Sequence, residues 1–260
     1  MTCVQNNTPK IFLKQKSRFV GCPEMDTDSE TQKKWTDLLK NLFPVEVALS
    51  CQPVPFFEEV KSSGARYGIR LPEGLKSASV SRQRDYFAGR YCARQALYHM
   101  GFSGCLDIPK GKDGCPIWPR GVVGSISHAE GLAVAVVTNW KNAQGIGIDL
   151  EKKVSDREGK QLLPVIATRN ETAIITTRFP NDTGAAFTTL FSAKEAIYKA
   201  LYPLVGHFFD FSEARLTGYH RIDHRLEFDL SADLLKKTGV SQFHVSFGEV
   251  DTYVVTGSVC

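Results

Sequence analysis

The chain has 260 residues, 42% of them hydrophobic, which is enough to bury a sizeable core in one large domain or two small ones. Its 32 Lys and Arg residues against 28 Asp and Glu residues give a formal net charge of +4. Such a mild excess favours an acidic partner or a polyphosphate ligand and does not require nucleic acid. We therefore expect a globular protein that does not bind nucleic acid.

Cysteine usage and the N-terminal residues indicate a compartment. The 7 cysteines include no CxxC pair, and their odd number fits neither a disulfide framework nor a structural zinc site. The opening residues MTCVQNNTPKIFLKQK lack the apolar core of a signal peptide, and no apolar run is long enough to span a bilayer. We expect reduced thiols, no transmembrane segment, a cytoplasmic location and a monomer.

The first half of the chain predicts an extension followed by one subdomain. Residues 1–40 are polar and mixed, and we expect a loosely packed N-terminal extension there. A long helical pattern begins at Ser81 and ends at Gly101. Strand patterns lie on both sides of it, at 45–50, 122–128 and 132–137. We predict an N-terminal subdomain over residues 41–140.

The second half predicts a similar order of elements. A strand at 145–151 precedes helical patterns at 156–178 and 187–202. Further strand patterns lie at 225–230, 243–248 and 253–259. We predict a C-terminal subdomain over residues 141–260. Because no sequence repeat has a fixed period, an internal duplication is suggested only by this order of elements.

The segment GIGIDLE places two carboxylates on one face of a strand. Alternation puts its apolar side chains on one face and Asp149 and Glu151 on the other. Oxygen ligands at i and i+2 suit Mg²⁺, which keeps several waters and is usually completed by substrate phosphates. Taken alone, a DxE pair is more often a solvated strand edge.

The segment FSAKEAIYKAL places an acid and a base on one helix face. Glu195 and Lys199 are four residues apart and point away from the apolar stripe. The pair could hold a metal-bound phosphate and accept a hydroxyl proton. The alternative is an ordinary surface ion pair worth about 0.3–0.5 kcal/mol.

Basic residues form a third candidate cluster. Arg82 lies in the first turn of the long helix, Arg90 and Arg94 lie one turn apart, and Lys110 and Lys112 lie in the following loop. Guanidinium groups match phosphate geometry bidentately, so the cluster could hold the phosphates of a nucleotide. Solvated helix arginines are an equally good interpretation.

Ser127 and His128 end the strand at 122–128. Their hydroxyl and imidazole could donate to a phosphate, although a histidine at a strand end is more often a structural residue. A Ser-His-Asp nucleophile is disfavoured because the chain lacks a G-x-S-x-G elbow and because adjacent strand residues project to opposite faces.

Four segments, GRYCARQAL, KGKDGCPIWPRGVVGSISH, GIGIDLE and FSAKEAIYKAL, follow one another within about residues 80–205. In this order they resemble the Sfp-type 4′-phosphopantetheinyl transferases, especially the branch of enterobactin synthase component D. The resemblance implies an α+β fold with two similar subdomains in one chain, each a helix with antiparallel strands, and the cofactor between them. It does not cover the N-terminal extension or the C-terminal strands.

The resemblance also implies an activity, which is transfer of the 4′-phosphopantetheine arm of coenzyme A to a serine of an acyl or peptidyl carrier protein, with release of 3′,5′-ADP. Mg²⁺ is the implied metal, with Mn²⁺ as a substitute. The resemblance to component D favours a carrier protein of nonribosomal peptide or siderophore synthesis over a carrier protein of polyketide or fatty-acid synthesis.

Residue roles are implied in the same way. The metal ligands are Asp149, Glu151 and Glu195, and the catalytic residues are Glu195 and Lys199. The residues that bind coenzyme A are Arg82, Arg90, Lys110, Lys112, Ser127, His128, Asp149, Lys194 and Lys199.

Two other function classes remain as alternatives. A Mg²⁺-dependent 3′–5′ exonuclease also places a DxE on a strand, but it needs further aspartates in a downstream helix, where this chain has Glu195 and Lys199. A non-catalytic protein that binds a nucleotide or a carrier would have no use for a proton acceptor at Glu195.

Overall fold

The computed structural model describes residues 18–19, 34–35, 37–39, 41–53, 68–103 and 107–260. The side chain of Lys112 lies outside that description. The predicted α+β class is confirmed, because each half of the described chain pairs a long helix with a sheet of mainly antiparallel strands.

The first sheet has four strands in the order β1-β2-β4-β3. They are β1 (Arg18–Phe19), β2 (Ala48–Pro53), β3 (Val122–Ala129) and β4 (Leu132–Asn139). Helix α1 (Val80–His99) packs across β2, β3 and β4. Strand β4 is buried along almost its whole length, because α1 covers one face of the sheet and the second half of the chain covers the other.

Helix α1 begins two residues before the predicted start. The hydroxyl of Ser79, and not that of Ser81, accepts a hydrogen bond from the amide of Arg82 and caps the helix. Ser81 lies inside the first turn and is exposed. At the other end the helix stops before Gly101, as predicted, and this glycine adopts a φ of 98°.

The second sheet has five antiparallel strands in the order β5-β9-β8-β7-β6. They are β5 (Ile146–Lys152), β6 (Ala214–His220), β7 (Arg225–Leu230), β8 (Gln242–Val250) and β9 (Tyr253–Val259). The helices of this half are α2 (Asp156–Ile166), α3 (Arg169–Arg178), α4 (Thr183–Val205) and α5 (Ala232–Thr238). Helix α4 lies across β5, β8 and β9.

The helix predicted over 156–178 is two helices. Thr168 starts the second one, because its hydroxyl accepts from the amide of Glu171 and the Glu171 carboxylate accepts from the amide of Thr168. Ala167 between them is extended. Strand β6 and helix α5 were not predicted.

Three apolar clusters form the core. One lies between α1 and the first sheet, one between α4 and the second sheet, and one between the two sheets. Trp35 and Leu39 belong to the cluster between the sheets and are 3% and 0% exposed. The rest of the predicted extension over 1–40 lies mostly outside the described residues.

Two serines join the sheets at their edges. Strands β3 and β5 are the last strands of their sheets, and the hydroxyl of Ser125 accepts from the amide of Ile148 at 3.1 Å. Two residues further along, the hydroxyl of Ser127 accepts from the amide of Leu150 at 3.2 Å. Side chains therefore satisfy amides of an edge strand, and they bring Ser127 beside Asp149.

Gly145 and Gly147 let helix α4 approach β5 closely. A Cβ on Gly147 would lie 1.9 Å from the carbonyl oxygen of Ala196, and one on Gly145 would lie 2.1 Å from that of Ala200. On β9, the hydroxyls of Thr256 and Ser258 donate to the carbonyls of Ser192 and Ala196. This contact sets the height of Glu195 and Lys199 over the sheet.

None of the helices in the described part of the chain has the length and apolar character that a membrane span requires.

Candidate active site

Asp149 lies at the contact between the two halves and is 2% exposed. Its Oδ1 accepts hydrogen bonds from Lys199 Nζ at 2.6 Å and from Ser127 Oγ at 2.8 Å. Its Oδ2 is buried and has no hydrogen-bond partner among the described residues. A buried carboxylate oxygen without a donor is costly unless a ligand satisfies it.

Lys199 connects helix α4 to both sheets. Besides the ion pair with Asp149, its ammonium donates to Ser127 Oγ at 3.0 Å and lies 3.4 Å from the carbonyl oxygen of Ile148. Its side chain is 25% exposed and is therefore not fully enclosed. The predicted residues Ser127, Asp149 and Lys199 are therefore brought together.

Glu151 and Glu195 complete an acidic group around Asp149. Burial raises the pKa of Glu151 to about 7, helped by the negative charges of Asp149 and Glu195. Burial and the charge of Asp149 also raise the pKa of Glu195, although Lys199 acts in the opposite direction. Carboxylates that repel one another in a partly buried place are a common feature of functional sites.

These residues fit a hard divalent cation in their chemistry. They offer oxygen donors only, and one buried oxygen has no partner among the residues described. Two of the carboxyl groups also carry raised pKa values, which a cation would lower. Among the described residues no group of three or more His, Cys, Asp or Glu side chains is arranged so that it could hold a metal ion. One Asp149 oxygen is instead engaged by the ammonium of Lys199.

The three arginines of α1 in the predicted basic cluster differ in their burial. Arg90 is only 7% exposed, and its guanidinium lies over the ring of Tyr86, 4.7 Å from the centroid. Burial lowers the pKa of Arg90, and its Nε has no hydrogen-bond partner among the described residues. Arg82 is exposed in the first turn, and Arg94 is half-buried further along.

His128 lies at the end of β3, close to the charged groups of three elements. Desolvation lowers the pKa of the His128 imidazole. The positive charges of Lys199 and Arg82 lower it further, whereas the negative charges of Asp85 and Asp149 raise it. The imidazole is therefore favoured in its neutral form and can act as either a donor or an acceptor.

Lys110 and Lys112 lie in the loop that follows α1. Lys110 is exposed at the base of a tight turn, whereas the side chain of Lys112 lies outside the described part of the chain.

The recorded contacts of Lys194 lie in the second half and not with Asp149 or Lys199, and its assignment to coenzyme A stays a prediction. Its side chain is 1% exposed, and its ammonium donates to Glu171 Oε1 at 2.7 Å and to the carbonyl of Phe211 at 3.0 Å. Adjacent residues of a helix face different directions, so Lys194 points into the core of the second half while Glu195 points to the site.

Two residues near the site were missed in the sequence. Ser125 joins β3 to β5, and its position two residues before Ser127 placed it on the same strand face. The charge of Asp85 acts on His128, and its place three residues after Arg82 put both on one helix face. Both signals were local and could have been used.

Two family descriptions match the chain. The 4′-phosphopantetheinyl transferase N-terminal domain matches residues 71–138, and the 4′-phosphopantetheinyl transferase superfamily matches residues 145–256. A relative from Nocardia iowensis, the 4′-phosphopantetheinyl transferase Npt, is 35% identical over 184 residues, which are 69% of this chain and 76% of the relative. The chain belongs to the 4′-phosphopantetheinyl transferase family.

Further similarities agree with the predicted branch of this transferase family. Enterobactin synthase component D of Salmonella typhi is 37% identical over 129 residues, 48% of this chain and 51% of that protein. The chain thus spans about half the length of this relative. Among solved structures, the Helicobacter pylori holo-[acyl-carrier-protein] synthase in complex with coenzyme A matches 44% of this chain and 97% of that one, at 18% identity and a TM-score of 0.32.

Proposed function

We propose that this chain transfers the 4′-phosphopantetheine arm of coenzyme A to a serine of an acyl or peptidyl carrier protein. Membership in the transferase family supports the reaction. The observation that carries the assignment of the site is the buried carboxylate of Asp149. One of its oxygens accepts a hydrogen bond from Lys199, and the other has no partner among the residues that the structure describes. Asp149 belongs to GIGIDLE, and Lys199 belongs to FSAKEAIYKAL.

Asp149, Glu151 and Glu195 are the residues that would hold Mg²⁺, with Mn²⁺ as a substitute. When bound, the metal would neutralise negative charge on the diphosphate of coenzyme A. The oxygen donors of all three residues, the burial of Asp149 and the raised pKa values of Glu151 and Glu195 support this role.

The cationic residues would bind the phosphates of coenzyme A. The side chain of Lys199 is 25% exposed beside Asp149, and the buried Nε of Arg90 has no hydrogen-bond partner within the described part of the chain. Ser127 and His128 border the same region from the first half, and the charge of Arg82 acts on His128. Lys110 is assigned to the same phosphates by the family resemblance. Charge-assisted hydrogen bonds from such groups are about twice as strong as neutral ones.

Glu195 is the proposed proton acceptor for the carrier serine. Burial raises its pKa toward neutrality, where a general base is most effective. The nucleophile itself belongs to the carrier. A formal charge of +4 supports an acidic carrier, and the similarity to component D supports one of nonribosomal peptide or siderophore synthesis. We expect the protein to be a monomer and to lie in the cytoplasm.

The exonuclease alternative gains no support from these relatives, which are named as a transferase and as a component of a synthase. Such a nuclease needs aspartates on the helix that follows its DxE strand. This chain has Glu195 and Lys199 there instead.

The proposal is tested by removing single negative charges without changing shape. Asp149→Asn and Glu151→Gln should each abolish transfer at ordinary Mg²⁺, because each weakens a hard oxygen ligand in a site with few protein ligands. Mn²⁺ binding, followed by electron paramagnetic resonance with coenzyme A present, should weaken in parallel. Asp233→Asn, in an exposed ion pair on α5, is the control and should behave as wild type. A folded Asp149→Asn variant with normal transfer in limiting Mg²⁺ would show that the metal assignment is wrong.

A further inference from the structure

Residues 109–117 form a small hairpin, here called the basic hairpin because it carries Lys110 and Lys112. Lys110 and Pro116 form a β-bridge, and the amide of Gly111 donates to the carbonyl of Cys115 at 2.7 Å. The tip consists of Asp113 and Gly114, with φ values of 55° and 89°. Both lie in the left-handed region, which Asp tolerates and Gly adopts freely.

The tip of the basic hairpin contacts the helix that carries Glu195 and Lys199. The hydroxyl of Tyr202 on α4 donates to Asp113 Oδ2 at 2.6 Å. Tyr202 lies one turn after Tyr198, with 5.4 Å between ring centroids, and the charges of Asp113 and Cys115 act on Tyr198 as well. A loop of the first half is thus fixed to a helix of the second half.

The same tip supports Lys110. A Cβ on Gly114 would lie 3.4 Å from Lys110 Cε and 4.0 Å from its Nζ, so the end of the lysine side chain lies along this glycine. The residue bonded to α4 is therefore the direct neighbour of the residue on which the lysine rests. Movement of the tip would move the ammonium of Lys110 with it.

We propose that the hydrogen bond between Tyr202 and Asp113 positions Lys110 for the phosphates of coenzyme A. Tyr202 and Asp113 are positioning residues, because they act through the hairpin and not on the reacting atoms. The inference rests on the proposed function. It goes beyond it by predicting that residues without a charge for coenzyme A nevertheless set its affinity, and that the carrier protein is bound independently of them.

The test is the affinity for coenzyme A of Tyr202→Phe, which removes one hydroxyl. Calorimetry with Mg²⁺ should show binding about 3- to 10-fold weaker than wild type, the range expected for one lost hydrogen bond. The KM for coenzyme A should rise by a similar factor, while kcat and the KM for the carrier stay within about twofold. Tyr219→Phe is the matched control: its ring packs near Phe247, and the variant should bind coenzyme A as wild type does.

A conservative variant separates positioning from simple stabilisation. Asp113→Asn keeps an acceptor oxygen and tolerates the left-handed backbone, so it should retain more affinity for coenzyme A than Tyr202→Phe. In addition, Lys110→Ala should weaken binding less in the Tyr202→Phe background than in wild type, because both changes act on one contact.

Three results would overturn the proposal. Tyr202→Phe with a lower melting temperature but unchanged affinity would make the contact purely structural. Fully multiplicative effects of Tyr202→Phe and Lys110→Ala would show that it does not act through Lys110. Either of these two results leaves the proposed function intact if the wild-type protein transfers normally. The third result is a wild-type protein that fails to bind coenzyme A, which would overturn both the positioning role and the proposed function.

Discussion

Single residues explain why the site lies where the two halves meet. Asp149 receives one hydrogen bond from Ser127 in the first half and one from Lys199 in the second. Strand alternation in GIGIDLE predicted which way Asp149 faces. The Lys199 contact could not be predicted, because it depends on how closely α4 packs against β5.

The burial of Lys194 could not be predicted from the sequence for a related reason. The family resemblance matched adjacent residues of one helical motif. Because a helix turns by about 100° per residue, Lys194 and Glu195 face different environments. Only the position of the partner carboxylate Glu171, 23 residues away in sequence, decides that Lys194 is buried. No local pattern contains that information.

Glu195→Gln tests whether this carboxylate is the base, a metal ligand or both. The change keeps the size and one acceptor oxygen but removes the basicity, so transfer should fall by at least the roughly 10²-fold typical of losing general-base help. Calorimetric affinity for Mg²⁺ and coenzyme A distinguishes the roles. Unchanged affinity indicates the base, and a parallel loss indicates the ligand. Turnover within a few-fold of wild type, with carrier and metal subsaturating, would exclude both.

At the scale of elements, the contact of α4 with β5 governs the geometry of the site. The Cβ of an alanine at position 147 would lie 1.9 Å from a helix carbonyl, much closer than any van der Waals contact. Gly147→Ala should therefore push α4 away and cost at least about 1–3 kcal/mol, the typical penalty of overpacking. Gly74→Ala is the control, since no atom lies within 4 Å of its Cβ position. Equal urea midpoints for the two variants would contradict the close packing.

The buried ion pair of Lys194 and Glu171 holds α4 from its other face. Burial alone would raise the pKa of Glu171, but hydrogen bonds from Lys194 and from the amides of Thr168 and Leu216 lower it overall. A lowered carboxyl pKa stabilises the fold above the unfolded value of about 4.3, and this contribution is lost as the pH falls through the folded pKa.

Glu171→Gln should leave the ammonium of Lys194 buried without its counter-ion. The expected loss is about 3–5 kcal/mol of unfolding free energy near neutral pH, and it should shrink as the pH falls below about 4. Urea unfolding across this range measures both effects. Glu73→Gln, which removes an exposed ion pair with Lys76, should cost less than about 1 kcal/mol. Similar losses in both variants would show that the buried pair is unimportant.

Element types were more predictable than their limits. Strands β3, β4, β5, β7, β8 and β9 follow clear alternation or apolar runs, so their existence was predicted. Strand β6 was missed because a register shift between Leu216 and Gly218 breaks its alternation. The T-x-x-E sequence of Thr168 and Glu171 marked the break between α2 and α3 and was not used.

At the scale of the whole molecule, the two halves form one site through their sheet edges. Ser125 and Ser127 join β3 to β5, and the cluster between the sheets includes Trp35 and Leu39. The sequence predicted two subdomains but not how they pack, since each set of local patterns is compatible with several arrangements. The division near residue 140 therefore remains a prediction.

The most direct test of the central claim is the mass of a carrier protein after incubation with this chain, coenzyme A and Mg²⁺. Apo-carriers of nonribosomal peptide, polyketide and fatty-acid synthesis should be compared, with a serine-to-alanine carrier as the control. We predict that at least one carrier, foremost that of nonribosomal peptide synthesis, gains the mass of one phosphopantetheine arm, and that chelation of Mg²⁺ or the Asp149→Asn change prevents the gain. If coenzyme A binds but no carrier changes in mass, the chain is a binding protein and the proposed activity is wrong.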